Sequence, residues 1–399
     1  MNLTAAEALD RADPLARFRD RFSLPEGVIY LDGNSLGALP KSVVGRIAET
    51  VRQQWGQDLI TSWNRHDWID LPRRVGEKVA PLIGAAPGTV IAADSTSINI
   101  FKLLAVALEK RPGRRVILTE AGNFPTDAYV AEGLAKLANH ELRSGDLRQI
   151  GADTAVVLVT EVNYRTGARH DMRELTARAH DAGALIVWDL CHSAGAFPVD
   201  VTAADVDFAV GCGYKYLNGG PGAPAFAYVA PRHLPGLQQP LSGWLGHAAP
   251  FDFAAEYRPA EGIDALRVGT PPILSMAALD EALDVFADVD LAAVKAKADA
   301  LFELFVANVP AGLELLTPRD PVLRGTQVSL RHPEAYAVMQ ALIARGVIGD
   351  FRQPDILRFG LTPLYLRFAD VFRAAQILTE TIATGAWDRP ELKRRAKVV

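Results

Sequence analysis

The chain has 399 residues, 49% hydrophobic and 22% charged, with 42 Lys and Arg against 47 Asp and Glu, a net charge of −5. That length allows roughly two or three domains of about 150 residues with a large continuous core. Two cysteines exclude a disulfide framework and a thiolate metal site, and mild acidity without a basic block excludes a dedicated nucleic-acid surface.

In the first 25 residues, Glu7, Asp10, Arg11, Asp13 and Arg17 interrupt any signal-peptide hydrophobic region. No apolar run approaches the roughly 18 residues of a spanning helix, so a soluble α/β enzyme in the cytoplasm is expected. A strand-like stretch at 28–31 and a helix at 41–55 are expected to pack with the C-terminal domain or with a partner subunit.

From about residue 65 to 270, short β-branched runs alternate with helical periodicity, the pattern of a mostly parallel sheet with crossover helices. Strands are expected at 89–93, 115–119, 154–160, 185–189, 208–211 and 225–229, and helices at 97–108, 126–137 and 172–182. After Gly269, Pro271 and Pro272 the texture changes. An Ala-rich segment at 273–305 reads as two helices broken near 288–290, followed by strands at 327–330 and 356–359. The expected organisation is an N-terminal segment 1–64, a large domain 65–270 and a smaller α+β domain 271–399.

Asp189 closes an apolar strand, and Lys215 follows the next apolar run at the same expected sheet edge, where open α/β sheets bind ligands. A lysine in this Gly-rich, aromatic setting is costly unless its charge is paired or lost, and condensation with an aldehyde removes it. Pyridoxal phosphate chemistry uses such a pair: a lysine for the aldehyde and an acid that keeps the pyridine nitrogen protonated. Spacing alone fits equally a Lys215 that snorkels to a surface ion pair and an Asp189 that caps a helix at Cys191.

Two further turns fall at the same edge. Asp94, Ser95, Thr96 and Ser97 stand between a strand and a helix, offering hydroxyls and free N–H groups of the kind that hold a phosphate. Phe124, Pro125, Thr126 and Asp127 form a second such turn, with a ring able to stack on a flat cofactor and a carboxylate beside it.

The runs Tyr30-Leu31-Asp32-Gly33-Asn34-Ser35-Leu36-Gly37, Phe124-Pro125-Thr126-Asp127, Trp188-Asp189-Leu190-Cys191-His192-Ser193-Ala194-Gly195, Gly213-Tyr214-Lys215-Tyr216-Leu217-Asn218-Gly219-Gly220-Pro221-Gly222 and Arg358-Phe359-Gly360-Leu361-Thr362-Pro363-Leu364-Tyr365 resemble kynureninases, in that family's order. The resemblance implies the aspartate-aminotransferase-type fold (pyridoxal-phosphate-dependent transferase fold type I, α/β), pyridoxal phosphate as cofactor, no metal, and a homodimer with sites at the subunit interface. It implies Lys215 as the cofactor-bearing lysine and α-proton base, and Asp189 as partner of the pyridinium nitrogen. Thr96 and Ser97 match the phosphate-side turn, Phe124 the ring face and Asp127 the polar edge, and Thr160 and His192 match further cofactor contacts. Tyr214 is implied as a phosphate contact and proton carrier whose acidity the cationic neighbourhood helps. Trp244 and Thr270 match cofactor positions supplied across the dimer, and Arg358 matches the clamp on the substrate α-carboxylate. Asn34 and Trp63 lie in segments that border the aromatic end of the substrate. Read without the resemblance, His192 is a structural histidine, Trp244 a core or interface aromatic, Thr270 a turn residue and Arg358 a salt-bridge partner.

The implied reaction is hydrolysis of L-kynurenine to anthranilate and L-alanine, or of 3-hydroxykynurenine to 3-hydroxyanthranilate, within tryptophan catabolism and pyridine nucleotide biosynthesis. Tyr214 and a cofactor phosphate oxygen are alternative activators of the water step. An aminotransferase shares the early chemistry. A cysteine desulfurase needs a mobile cysteine, whereas Cys191 and Cys212 adjoin buried strands. A non-catalytic regulator on this fold would carry a DNA-binding helix pair or basic extension, and the first 60 residues show neither.

Overall fold

Every residue of the strands Thr154–Thr160 and Leu185–Asp189 is buried in the computed structural model, which describes residues 2–396. Burial on both faces explains why these strands read as unbroken apolar runs and not as alternating ones. They are the centre of a seven-stranded sheet in the order Val90–Ala92, Ala225–Val229, Phe208–Cys212, Leu185–Asp189, Thr154–Thr160, Val116–Glu120, Glu141–Gly145. The last five run parallel, while Ala225–Val229 is antiparallel to both its neighbours. Crossover helices Thr96–Glu109 and Pro125–Leu137 pack Leu103, Leu104 and Leu134 with Ile117, Val156 and Val187 in one buried cluster, and a third, Met172–Asp181, buries Leu175 and Ala179. The fold class is therefore the expected α/β arrangement.

Glu141–Gly145 is a strand that the apolar pattern did not reveal. It pairs only with Val116–Glu120 at the sheet's edge, where Glu141, Arg143 and Ser144 satisfy solvent instead of a core.

This sheet belongs to a compact unit made of residues 43–161 and 170–284. The helix Ile273–Leu283 lies within it and not with the segment that follows. Its Asp280 takes Lys78 Nζ at 2.9 Å and Arg74 Nη2 at 3.1 Å, anchoring it on the helix Leu71–Val79.

The second unit comprises residues 1–42, 162–169 and 285–399. Its antiparallel sheet has the order Glu314–Leu315, Gln327–Arg331, Ile356–Gly360, Asp350–Arg352. The Ala-rich segment breaks where the sequence suggested, with the helix Leu291–Val306 starting at the N-cap Asp290. Asp10 of the first helix accepts Phe368 N at 2.6 Å and Ala369 N at 3.1 Å, tying the N-terminus to the helix Phe368–Thr384. Ile29–Tyr30 pairs in parallel with Val347–Ile348. No helix among the described residues is long and apolar enough to cross a membrane.

One buried carboxylate fastens the sheet from below. Asp207 accepts from His180 Nε2, His233 Nε2 and Arg232 Nη2 at 2.7–2.8 Å and from Ile186 N at 2.9 Å. Against the upward push of burial, the bonds from His180 and His233 hold its carboxyl well below the usual range. That stabilisation is whole above the ordinary carboxylate pKa of about 3.9 and is lost as the pH falls through the depressed folded value. Asp207→Ala, which takes this acceptor from the buried His233 ring and Ile186 N while Arg232 keeps Asp205, is expected to cost about 2 kcal/mol. Thermal unfolding followed by circular dichroism should show a lower midpoint at pH 7 and a shallower decline of that midpoint between about pH 5 and 2 than the parent shows.

Candidate active site

Parallel neighbours put their carboxyl ends at one edge, and here Asp189, the last residue of its strand, is in register with Thr160 on one side and Val210 on the other. The strand Phe208–Cys212 then delivers the turn that carries Lys215. That turn is packed too tightly for side chains at its ends: a Cβ on Gly213 would collide with Pro224 O, and one on Gly219 with Leu279 and Gly213 O. Asn218 adopts the left-handed region (φ 57°), and its N–H donates to Lys215 O at 2.9 Å, which closes the turn beneath the lysine.

Lys215 Nζ lies 3.2 Å from His192 Nε2, 5.8 Å from the Tyr214 ring centroid and 6.0 Å from that of Phe124. The lysine thus stays in the cluster and does not snorkel to a surface carboxylate. Asp189 Oδ1 does accept Cys191 N at 2.7 Å, so the local capping role exists beside any other. Asp127, in the first turn of Pro125–Leu137, is buried; burial, then the Asp189 charge, push its carboxyl well above the usual range, with Lys215 opposing. The protonated form of Asp127 is favoured.

On the phosphate-side turn, Ser95 caps the 14-residue helix Thr96–Glu109, accepting Ile98 N at 3.4 Å. Thr96 Oγ1 sits 3.7 Å from Cys191 Sγ, which brings this turn to the same edge, with Ser97 next along the helix. Lys102 was not singled out in the sequence, although a lysine inside Phe101-Lys102-Leu103-Leu104 is itself a signal. It is fully buried, paired with Asp94, and donates to Leu266 O at 2.7 Å. Asp94 is held at φ 47°, so Lys102 sets the backbone that enters the turn.

The expected acidity of Tyr214 is reversed. Burial, followed by the neighbouring Cys212, Cys191 and Asp189, pushes its phenol far up. It keeps its proton through neutral pH and can act there as a donor, not as a base.

The remaining candidates occupy other segments. Trp244 is partly exposed and edge-on to Phe251, 5.7 Å between centroids, and Thr270 is exposed beside Pro271. Trp63 packs edge-on against Trp68 at 6.0 Å. Arg358 and Asn34 belong to the second unit. Both are buried, and Asn34 fits so closely on Gly360 that a Cβ there would strike its amide. Asp350, which no sequence pattern marked, accepts Arg358 Nε at 2.8 Å.

The cluster suits an aldehyde-bearing, phosphorylated aromatic cofactor by its donor set: a primary amine, a strand-end carboxylate, a ring and a helix N-terminus. Two buried atoms at this edge, Asp127 Oδ2 and Thr160 Oγ1, find no hydrogen-bond partner among the described residues. Buried polar atoms left so are costly unless a ligand satisfies them.

The kynureninase C-terminal domain matches residues 294–378. Over 409 aligned residues the chain is 53% identical to a kynureninase of Burkholderia pseudomallei (strain 1106a), covering 98% of each chain. The chain belongs to the kynureninase family. A kynureninase of Deinococcus radiodurans is 54% identical, over 94% of this chain and 95% of the relative. Among solved structures, the cysteine desulfurase CsdA of Escherichia coli superposes with a TM-score of 0.78 at 20% identity, covering 93% of this chain and 98% of the other. A C-DES mutant with glycine covalently linked to its PLP cofactor gives 0.77 at 17% identity, over 90% and 98%. These likenesses show that this kynureninase relative has the fold of the pyridoxal-phosphate-dependent aminotransferase-like enzymes.

Its cysteines differ from a mobile sulfur acceptor. The half-buried Cys191 is pushed up chiefly by its hydrogen bond with Cys212; Cys212 is shifted down, against burial, by that bond and by the Lys215 charge, but is itself buried. Titration of the folded protein with a thiol-specific disulfide reagent at pH 8 should modify fewer than one thiol per chain, and both after denaturation. Rapid modification of Cys191 in the folded state would contradict this placement.

Proposed function

We infer that this family member uses pyridoxal phosphate to hydrolyse L-kynurenine to anthranilate and L-alanine, and that Lys215 carries the cofactor. The observation that carries the reading is a lysine amine set at one sheet edge with Asp189, in a chain matched to kynureninases over 98% of its length. When bound, the cofactor supplies an electrophilic aldehyde and a pyridinium ring that draws electrons from bonds to the substrate α-carbon.

The chain's residues supply the rest. Asp189 holds a proton on the ring nitrogen, and Asp127, favoured in its protonated form, donates to the cofactor's polar edge beside Thr160 and His192. Phe124 covers one ring face, and Thr96, Ser97 and Tyr214 take the phosphate end. Trp244 and Thr270 complete the cofactor's surroundings from a second copy. Lys215 would remove the α proton and, once the Cβ–Cγ bond has broken with its electron pair left on Cβ, would return one proton at Cβ and one at Cα. Tyr214, which keeps its proton, would serve as donor toward the γ-carbonyl while water adds there and gives up a proton to solvent. Arg358 binds the α-carboxylate, and Asn34 and Trp63 border the aromatic group.

We assign the active form as a homodimer in the cytoplasm. Trp55, Leu59, Ile60, Phe251 and Phe253 are large apolar side chains exposed on one chain, the kind of surface that a second copy covers. The substrate enters as a breakdown product of tryptophan, and 3-hydroxykynurenine fits the same chemistry.

Incubation of the cofactor-loaded protein with L-kynurenine should release anthranilate fluorescence and alanine in equal amounts, and Lys215→Ala should lower kcat at least about 10³-fold. Product formation that requires a keto acid, with no anthranilate, would replace this reading with an aminotransferase.

A further inference from the structure

We propose that Asp350 is the positioning residue of the carboxylate clamp: it occupies the side edge of Arg358 and so fixes which end of the guanidinium meets the substrate α-carboxylate. The inference rests on the assignment of Arg358 to that carboxylate.

Asp350 and Arg358 face each other in register on adjacent antiparallel strands. Asp350 Oδ1 accepts Arg358 Nε at 2.8 Å, and Oδ2 accepts Nη2. Nη2 also donates to Ser35 Oγ at 2.7 Å, and Nη1 to Tyr164 O at 2.7 Å. A guanidinium has five N–H donors, and these four bonds leave one, on Nη1. Arg358 is 1% exposed and cannot rotate without breaking all of them. Without Asp350, the fork could present either edge to a carboxylate, and the Nε edge is as good a bidentate partner as the Nη end.

Asp350 is itself braced. Ser35 Oγ donates to its Oδ2 at 2.6 Å, and Arg352 Nη2 donates to Oδ2 at 2.7 Å. Burial works against its ionised form, and the bonds and charge of Arg358, then the charge of Arg352, more than offset this and keep its carboxyl low. Burial and the Asp350 charge instead push the nearby Asp32 up to about 8, while Tyr30 beside it is also pushed up, chiefly by burial. Near neutral pH the cluster then comprises the buried Arg358 and half-buried Arg352 guanidiniums and one buried carboxylate, with Asp32 and Tyr30 uncharged. One positive charge is left over for an incoming carboxylate, which a fully balanced ion pair would not offer.

Replacing Asp350 by Asn leaves one acceptor and one donor where two acceptors stood, so Arg358 Nε and Nη2 cannot both be held. For the cofactor-loaded protein, D350N should raise the Kd of L-alanine, measured by calorimetry, at least tenfold. It should also raise KM for L-kynurenine by a similar factor with kcat within threefold, while the Kd for pyridoxal phosphate stays unchanged. D350E should recover part of the loss. R358A is the control that separates the two claims. If R358A weakens L-alanine binding and D350N does not, the positioning role is overturned and the clamp stands. If neither does, the assignment of Arg358 falls and the inference with it. Should D350N fail to fold, Ser35→Ala removes one bond from each partner and is expected to raise the L-alanine Kd at least threefold; an unchanged value overturns the role.

Discussion

A lysine amine half-buried at the end of a sheet needs partners for its charge at the same place, and the sheet exists in a form that supplies them. The parallel strands ending at Thr160, Asp189 and Cys212 deliver their carboxyl ends side by side. The crossover helices start at that edge and bring the Phe124 and Thr96 turns to it. Asp127, its carboxyl pushed up by burial and by the Asp189 charge, and Lys215, held beside His192, are what this geometry produces from an otherwise apolar core. Catalysis by an electron-withdrawing cofactor needs such fixed dipoles and protons already in place before substrate arrives.

Charge is arranged locally because the chain as a whole, at −5, repels anions. In the first unit described, Lys102 buries an amine to hold Asp94 and the backbone ahead of the helix Thr96–Glu109. In the second, Arg358 and Arg352 outnumber the single ionised Asp350. Each cluster spends burial of a charge to fix a geometry, and in each the partner carboxylate, the half-buried Asp94 or the buried Asp350, sits on a backbone segment that must not shift.

The central strands were legible because both faces are covered, so every position had to be apolar; the parallel order and the site edge followed from that. The strand Glu141–Gly145 was not, since an edge exposed to water needs no apolar period. Asp350 and Lys102 escaped notice for a different reason: a single ionisable residue has meaning only through its partner across a sheet or turn, and sequence distance hides the partner. The upward shift of Tyr214 is hidden in the sequence, where Lys215 is its adjacent charge; folding buries the phenol and adds Cys212, Cys191 and Asp189 around it.

The claim on which the account depends is that Lys215 is where the cofactor is held. Borohydride reduction of the cofactor-loaded protein, followed by proteolysis and peptide mass analysis, tests it directly. The account predicts a phosphopyridoxyl mass on the peptide that contains Lys215 and on no other lysine. A label on Lys102 or on a surface lysine, with the Lys215 peptide unmodified, would contradict it.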